Sequence, residues 1–372
     1  MGTLRNHLEA RVADMFGYSE AILFGRARSG VVALLDVLGL GRDAPFVMPS
    51  NLCSSLLLAV HSCGISVRLA GVSEWDGLAP DAALVETMRE ACVPGVVMPT
   101  HLYGFVQPYE KTVAYARTHG WFVLENDTVA TRARFPWGQR PAFGDALLAS
   151  FGYAKSIEAG GGGALLTDDA SLANELRLKA RSYRPLDDIA LKAEVEFMLL
   201  ERQLRNSQRL QIGPCEHDRE QILINRMPGC RLSFPDDLVE PLSMALDGLH
   251  EVIEAKRQRV EMWNRFLEPF NDFLVSPMAD CVVPWRLIRR VPGCRDKLVA
   301  ALRKERIDAG TNFPPLTTSF PVLLSGQRYE GAEQWGAEVL NLWVSSDYDA
   351  QRMRQVVEVI GEVLSHQNES EQ

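Results

Sequence analysis

From about residue 45, short apolar runs alternate with stretches of helical spacing, and this rhythm constrains the fold of the 372-residue chain more than any other feature. PFVMPS (45–50), ISVRLAGV (65–72), GVVMPTH (95–101) and WFVLEND (121–127) read as strands. Between them lie helical stretches around 51–63, at DAALVETMREAC (81–92) and at EKTVAYARTHG (110–120). Connections this short between such elements are those of right-handed βαβ crossovers, so a mostly parallel sheet is predicted. After Asp127 the rhythm stops, and ALLASF (146–151) and GALLT (163–167) read as neighbouring strands separated by a Gly-rich loop. Function in such folds collects at the carboxyl ends of the strands. Those ends carry Ser50, His101, Asn126, Asp127 and Ser150.

Further along, residues 173–212 are helical and charge-rich, and 213–235 read as an irregular crossover between domains. Leu238, Leu242, Leu246, Leu249, Ile253, Val260, Trp263 and Leu267 fall on one stripe of a long amphipathic stretch. CVVPWRLIRRV (281–291) and VLNLWV (339–344) read as strands flanking the helix RDKLVAALRKERI (295–307), with a final helix near 350–365 and a loose QNESEQ tail. The chain is longer than one hydrophobic core usually supports. A large α/β domain over 1–235 and a smaller α+β domain over 236–372 are therefore expected, with the first 20 or so residues free to pack on the smaller one.

A net charge of −9 argues against a sequence-independent grip on nucleic acid, which needs clustered Lys and Arg. The polar start and the absence of any 18-residue apolar run predict a cytoplasmic protein with no membrane partner. Seven scattered cysteines lack a CxxC pair or a histidine at zinc spacing. They read as reduced and mostly buried, and no metal site is expected.

HLYG (101–104), VLEND (123–127) and FGDALLASFGYAKSIEAGGGGALLTDD (143–169) together resemble the DegT/DnrJ/StrS family of pyridoxal-phosphate-dependent aminotransferases. SGVVALLDVLGLG (29–41), PSNLCSSLLLAVHSCG (49–64), RDKLVAALRKERIDAG (295–310) and LNLWV (340–344) extend the likeness over most of the chain. The resemblance implies the fold type I, aspartate-aminotransferase-like architecture: a large mostly parallel-sheet domain and a smaller α+β C-terminal domain. It also implies pyridoxal 5'-phosphate as cofactor and a homodimer with a shared active site.

Within that resemblance Lys155 is the catalytic residue, the amine that attacks the cofactor aldehyde. Gly160–Gly163 beyond it allow close backbone approach to the cofactor. Ser29 and Gly30, opening a helix, supply a phosphate site at its positive end, and Ser150 corresponds to the family serine that reaches the same phosphate. An ungapped match puts Asn126 where the family's ring-nitrogen aspartate stands, with Asp127 one residue late, and leaves two readings open. Either a bulge brings Asp127 to the ring nitrogen, or the ring faces an amide. Cys53 corresponds to an aromatic that often stacks on the ring. His101 and Tyr153 lie near the cofactor by motif and are substrate-side candidates, against the plainer readings of a core histidine and an ordinary packed tyrosine. Arg231 and Asn225 correspond to residues given to the partner subunit's site, and the histidine of the family's HYP segment is absent from TNFPPL (311–316).

The function so implied is transfer of an amino group from glutamate or glutamine to a keto sugar, nucleotide-linked, or to a related cyclic ketone, in antibiotic or polysaccharide biosynthesis. The departures at Asn126, Cys53 and the missing histidine motivate an alternative: elimination, decarboxylation or condensation on an amino-acid-like substrate. A non-catalytic binding homologue is the third reading.

Overall fold

The computed structural model describes residues 2–130, 144–209, 213–274, 283–325 and 327–370. Helix α1 (Gly2–Phe16) precedes strand β1 (Glu20–Phe24), which runs through Gly25 into α2 (Ala27–Leu38). The predicted alternation follows as β2 (Phe46–Pro49), α3 (Ser54–Ser62), β3 (Val67–Ala70), α4 (Asp81–Arg89), β4 (Val96–Val97), α5 (Glu110–His119) and β5 (Phe122–Asn126). Next come β6 (Ala146–Ser150), β7 (Gly163–Thr167), α6 (Ala170–Ser182), β8 (Arg184–Pro185), α7 (Asp188–Arg209), α8 (Glu216–Arg226) and β9 (Leu232–Ser233).

One nine-stranded sheet takes them in the order β3-β2-β4-β5-β6-β7-β1-β9-β8. Strands β2 to β6 are parallel to one another, and β7 pairs antiparallel with β6 and with β1. All five parallel strands therefore end at the same edge, where Ser50, Asn126 and Ser150 stand.

Alternation along the strands sorts the core onto two faces. Leu165 joins Phe24, Leu34, Met48, Leu124 and Leu148 under α2 and α3. Leu166 joins Leu23, Leu147, Leu8 and Val12 on the opposite face, with Leu242, Leu246 and Leu249. Those last leucines belong to α9 (Val239–Asp247) and to the start of α10 (Leu249–Leu267), so the amphipathic stripe is two helices broken at Gly248. Three buried leucines at about 2 kcal/mol each hold α9 and the start of α10 to the large sheet. The exposed Arg11–Asp247 pair between α1 and α9 contributes under about 1 kcal/mol.

A three-stranded antiparallel sheet, in the order β10-β12-β11, has a core of its own. Its strands are β10 (Leu287–Arg290), β11 (Ala309–Gly310) and β12 (Val339–Leu342). Around it lie α11 (Arg295–Lys304), α12 (Leu316–Ser319), α13 (Glu330–Glu338) and α14 (Ala350–Ser370). Trp263, Leu287, Leu298, Leu340, Met353 and Ile360 fill this core. It meets the large sheet at the functional edge, where Leu316 N donates to Ser50 O at 2.7 Å.

Four expectations need correction. The 213–235 crossover contains an 11-residue helix, α8, and β9, which pairs Ser233 with Phe24. Cys215 precedes α8 and Met227 follows it, and the charged EHDRE opening lacks the apolar spacing that announces a helix. The QNESEQ tail is helical as far as Ser370. Of six described cysteines, all free, Cys230 and Cys294 are buried, while Cys53, Cys92 and Cys215 are exposed; Cys281 lies outside the described residues. The fourth concerns the glycines after Lys155. A Cβ at Gly163 would lie 2.5 Å from the Ala27 backbone, and one at Gly161 2.5 Å from Arg26. Their bareness lets the loop press on the start of α2, so the close backbone approach is to the protein itself.

Candidate active site

Lys155 lies half-buried in the loop between β6 and β7. Ala159 N donates to Phe151 O at 2.9 Å and closes the loop at its base, and Ala154 N donates to Glu158 Oε2 at 2.9 Å across it. Ala154 takes a left-handed conformation, φ +61°, a costly one for a residue with a Cβ. Such positions cluster at functional sites, where the surrounding structure holds them.

Burial pushes the Lys155 amine down to about 8; the positive charge of Arg286 lowers it further and Cys53 opposes the shift. The three residues come from three places: the β6–β7 loop, the N-cap of α3 and the residue before β10. Their convergence marks the cleft between the two sheets. The neutral amine is the nucleophile toward an aldehyde. The rate at which the protein reacts with an added aldehyde such as pyridoxal phosphate is therefore expected to rise with pH and level off just above 8. A stopped-flow rate still climbing at pH 10 would contradict this.

Ser29 lies in the first turn of α2, fully buried, and its hydroxyl has no hydrogen-bond partner among the described residues. A buried unbonded hydroxyl costs about 1–3 kcal/mol unless a ligand meets it, and the positive end of a helix suits an anion. Ser150 reaches the same spot: its Cα pairs with that of Gly163, which abuts Ala27. Both hydroxyl residues and Gly30 thus gather around the start of α2. Arg26 and Arg28, at 2.6 and 2.7 Å from Glu194, tie α7 over it.

At the end of β5, the Asn126 amide accepts from Thr128 N at 3.2 Å and donates to Thr100 Oγ1 at 3.4 Å. Asp127 is 1% exposed, and its own N–H continues the ladder to Leu148 O. His101 is fully buried, with Gln107 N donating to Nδ1 at 3.2 Å and Nε2 facing Glu125 at 3.4 Å. That is the core-histidine reading and not the substrate-side one: both ring nitrogens are occupied in the core. Tyr153, 76% exposed, meets Trp343 in a tilted ring contact at 6.1 Å. Arg231 is bonded to Asp36 at 3.1 Å, and Asn225 stands exposed on α8.

Sequence reasoning missed the wall opposite Lys155. Tyr103 accepts from Trp335 Nε1 at 2.8 Å and from Phe313 N at 3.0 Å, and Phe313 stacks on Trp285 at 5.6 Å. Phe313 stands in the TNFPPL segment where the family's histidine is missing. Arg286 lies over both Trp285 and Trp343. The available signal was PWRLIRR itself, where three arginines interrupt a run otherwise apolar enough for a strand. Among the described residues, no group of three or more His, Cys, Asp or Glu is placed to hold a metal. No helix among them is long and apolar enough to cross a membrane.

A nine-stranded, mostly parallel α/β sheet beside a small antiparallel one, with a half-buried lysine in a loop at the strands' carboxyl edge, is the fold of the pyridoxal-phosphate-dependent aminotransferases. An aminotransferase, TlmJ from Streptoalloteichus hindustanus, superposes with a TM-score of 0.77 at 17% identity, covering 98% of this chain and 92% of that one. The chain belongs to the DegT/DnrJ/EryC1/StrS aminotransferase family, whose model matches residues 1–361. It is 33% identical over 184 residues to the erythromycin biosynthesis sensory transduction protein EryC1 of Saccharopolyspora erythraea, covering 47% of this chain and 48% of that protein. It is 28% identical over 170 residues to GDP-perosamine synthase of Caulobacter vibrioides, covering 46% and 45%. These alignments span about half the length of each curated relative.

Proposed function

We propose that the chain is a pyridoxal 5'-phosphate-dependent aminotransferase that moves the amino group of glutamate or glutamine onto a nucleotide-linked keto sugar or related cyclic ketone. The observation that carries this reading is the pairing of a depressed, half-buried amine at Lys155 with an unbonded buried hydroxyl at Ser29. The first suits an aldehyde and the second an anion, and pyridoxal phosphate presents both. The relative named as GDP-perosamine synthase supports the nucleotide-sugar class.

On this reading Ser29, Gly30 and Ser150 hold the phosphate. Asp127 holds the proton on the ring nitrogen, since the Asn126 amide is already engaged with Thr100 and Thr128 and cannot stabilise that charge as a carboxylate does. The cofactor, when bound, supplies an electron sink for a Cα carbanion. Lys155 Nζ would take the proton from the donor's Cα as general base and hand it on within the same half-reaction, so that the amino group stays with the cofactor and the donor leaves as its keto acid. Cys53 borders the ring. Ile189, Val195, Met198 and Leu199 stand exposed on α7, an apolar face suited to burial in a cytoplasmic homodimer. Asn225 and Arg231 would then serve the partner's site.

Protein loaded with pyridoxal phosphate and given glutamate without ketone is expected to lose its violet absorbance and release 2-oxoglutarate. A band unchanged by both glutamate and glutamine would sink transamination and leave the elimination or decarboxylation reading.

A further inference from the structure

The stretch TNFPPLTTSFPVLLS (311–325) leads from β11 of the small sheet into the core of the large one. Little within this strap fixes its shape. Pro314, Pro315 and Pro321 have no N–H to donate, and α12 is a single turn of four residues, too short to be stable alone. Its course is set by the groups that meet its remaining N–H donors. Asn312 N donates to Asn341 Oδ1 at 2.7 Å, Phe313 N to Tyr103 Oη at 3.0 Å and Leu316 N to Ser50 O at 2.7 Å. Leu316, Phe320 and Leu324 are buried in the core under α2 and α3.

At the far end, Val322 N and Leu323 N donate to the two oxygens of one carboxylate, Glu220 Oε1 at 2.6 Å and Oε2 at 2.7 Å. Glu220 is 2% exposed and stands on α8, where it and Leu223 are the buried residues. Burying a carboxylate costs more than burying an amide or a leucine, and charge-assisted bonds to backbone N–H groups offset that cost only while the strap stays in this place. Glu220 therefore fixes a location more than it adds stability.

That location bears on the cleft. The strap is bonded to Ser50, at the carboxyl edge that also carries Asn126 and Ser150, and its Phe313 stacks on Trp285 at 5.6 Å. It thus builds the aromatic wall opposite Lys155. Resting on the aminotransferase reading above, we propose that Glu220 is a positioning residue for the ketone acceptor: through the strap it holds Phe313 on Trp285, the wall against which the acceptor's ring is placed. A cyclic ketone presents its carbonyl in one direction only when the rest of the ring has a surface to lie on, and aromatic faces supply one. Glutamate and 2-oxoglutarate are open chains whose carboxylates are recognised by charged groups and N–H donors, so a shift of the wall should touch them little.

The test uses full-length protein loaded with pyridoxal phosphate, its violet band recorded first. The half-reactions are followed separately, with glutamate as donor and then with cyclohexanone as ring acceptor or 2-oxoglutarate as open-chain acceptor. Glu220→Gln, which turns an N–H group toward one of the two amides, is expected to raise KM for cyclohexanone about tenfold with kcat held within about twofold. The glutamate and 2-oxoglutarate steps should change by less than about twofold. Phe313→Ala should raise the same KM, and adding Glu220→Gln to it should raise it no further, because both act through one contact. A merely structural loss would instead add in the double variant and slow both half-reactions together. Unchanged KM for cyclohexanone in Glu220→Gln, equal losses in both half-reactions, or additive effects with Phe313→Ala overturn the proposal. If Glu220→Gln does not fold, Glu220→Asp, which keeps the charge but falls short of both amides, decides by the same criteria. A wild type with no violet band, or with a band that glutamate leaves unchanged, defeats the aminotransferase reading itself. One that reacts with glutamate and 2-oxoglutarate but not with cyclohexanone overturns the proposal alone.

Discussion

Substituting alanine for Lys155 is expected to abolish the borohydride-sensitive violet band and to cut the half-reaction with glutamate by at least about 10²–10⁴-fold, the share owed to proton transfer alone. The size follows from position. Burial pushes the Lys155 amine down to about 8, and the loop that holds it is tied at its base and across its span. Because Lys155 is only half-buried and makes no ion pair among the described residues, the variant should melt within a few degrees of wild type. Lys155→Ala with an intact band and rate would remove Lys155 from the chemistry.

Asp127→Asn is expected to lower kcat by about 10²–10³-fold, the usual effect of deleting one preorganised charge at a reacting group. Asn126→Asp should change it less than about tenfold. The difference rests on the end of β5. There the Asn126 amide bridges Thr100 and Thr128, and Asp127 stands next along the chain as the buried carboxylate. Kinetics of the two variants side by side settle the choice that an ungapped motif match leaves open. A larger loss in Asn126→Asp than in Asp127→Asn would mean that the ring faces the amide.

The large sheet was legible because its parallel strands are buried on both faces. VVMP, FVLEN and LLAS announce themselves as apolar runs, and the helices between them keep their own period. Strand β1 was not, since EAILF follows a helix and enters the sheet antiparallel to β7, outside the βα rhythm. The β9 pairing was equally hidden: two residues, Leu232 and Ser233, complete the sheet through a contact more than 200 positions away in sequence.

The site divides along the same line. Ser29, Ser150 and Lys155 lie in locally coded motifs and converge at the start of α2 and its neighbouring loop. Arg286, Trp285 and Trp343 flank two strands of the second sheet, just before β10 and just after β12, and only tertiary packing carries them to the cleft. His101 is the reverse case. Its motif places it near the site, and the core-histidine reading is the one the structure bears out, with ring nitrogens on Gln107 and Glu125, partners that no local spacing identifies.

The most direct measurement is to load the protein with pyridoxal phosphate, reduce it with borohydride, digest it and map the modified peptide by mass spectrometry. The cofactor mass is expected on Lys155 within the 151–159 loop, at one equivalent per chain. Attachment instead at a surface lysine such as Lys192, or no attachment, would contradict it.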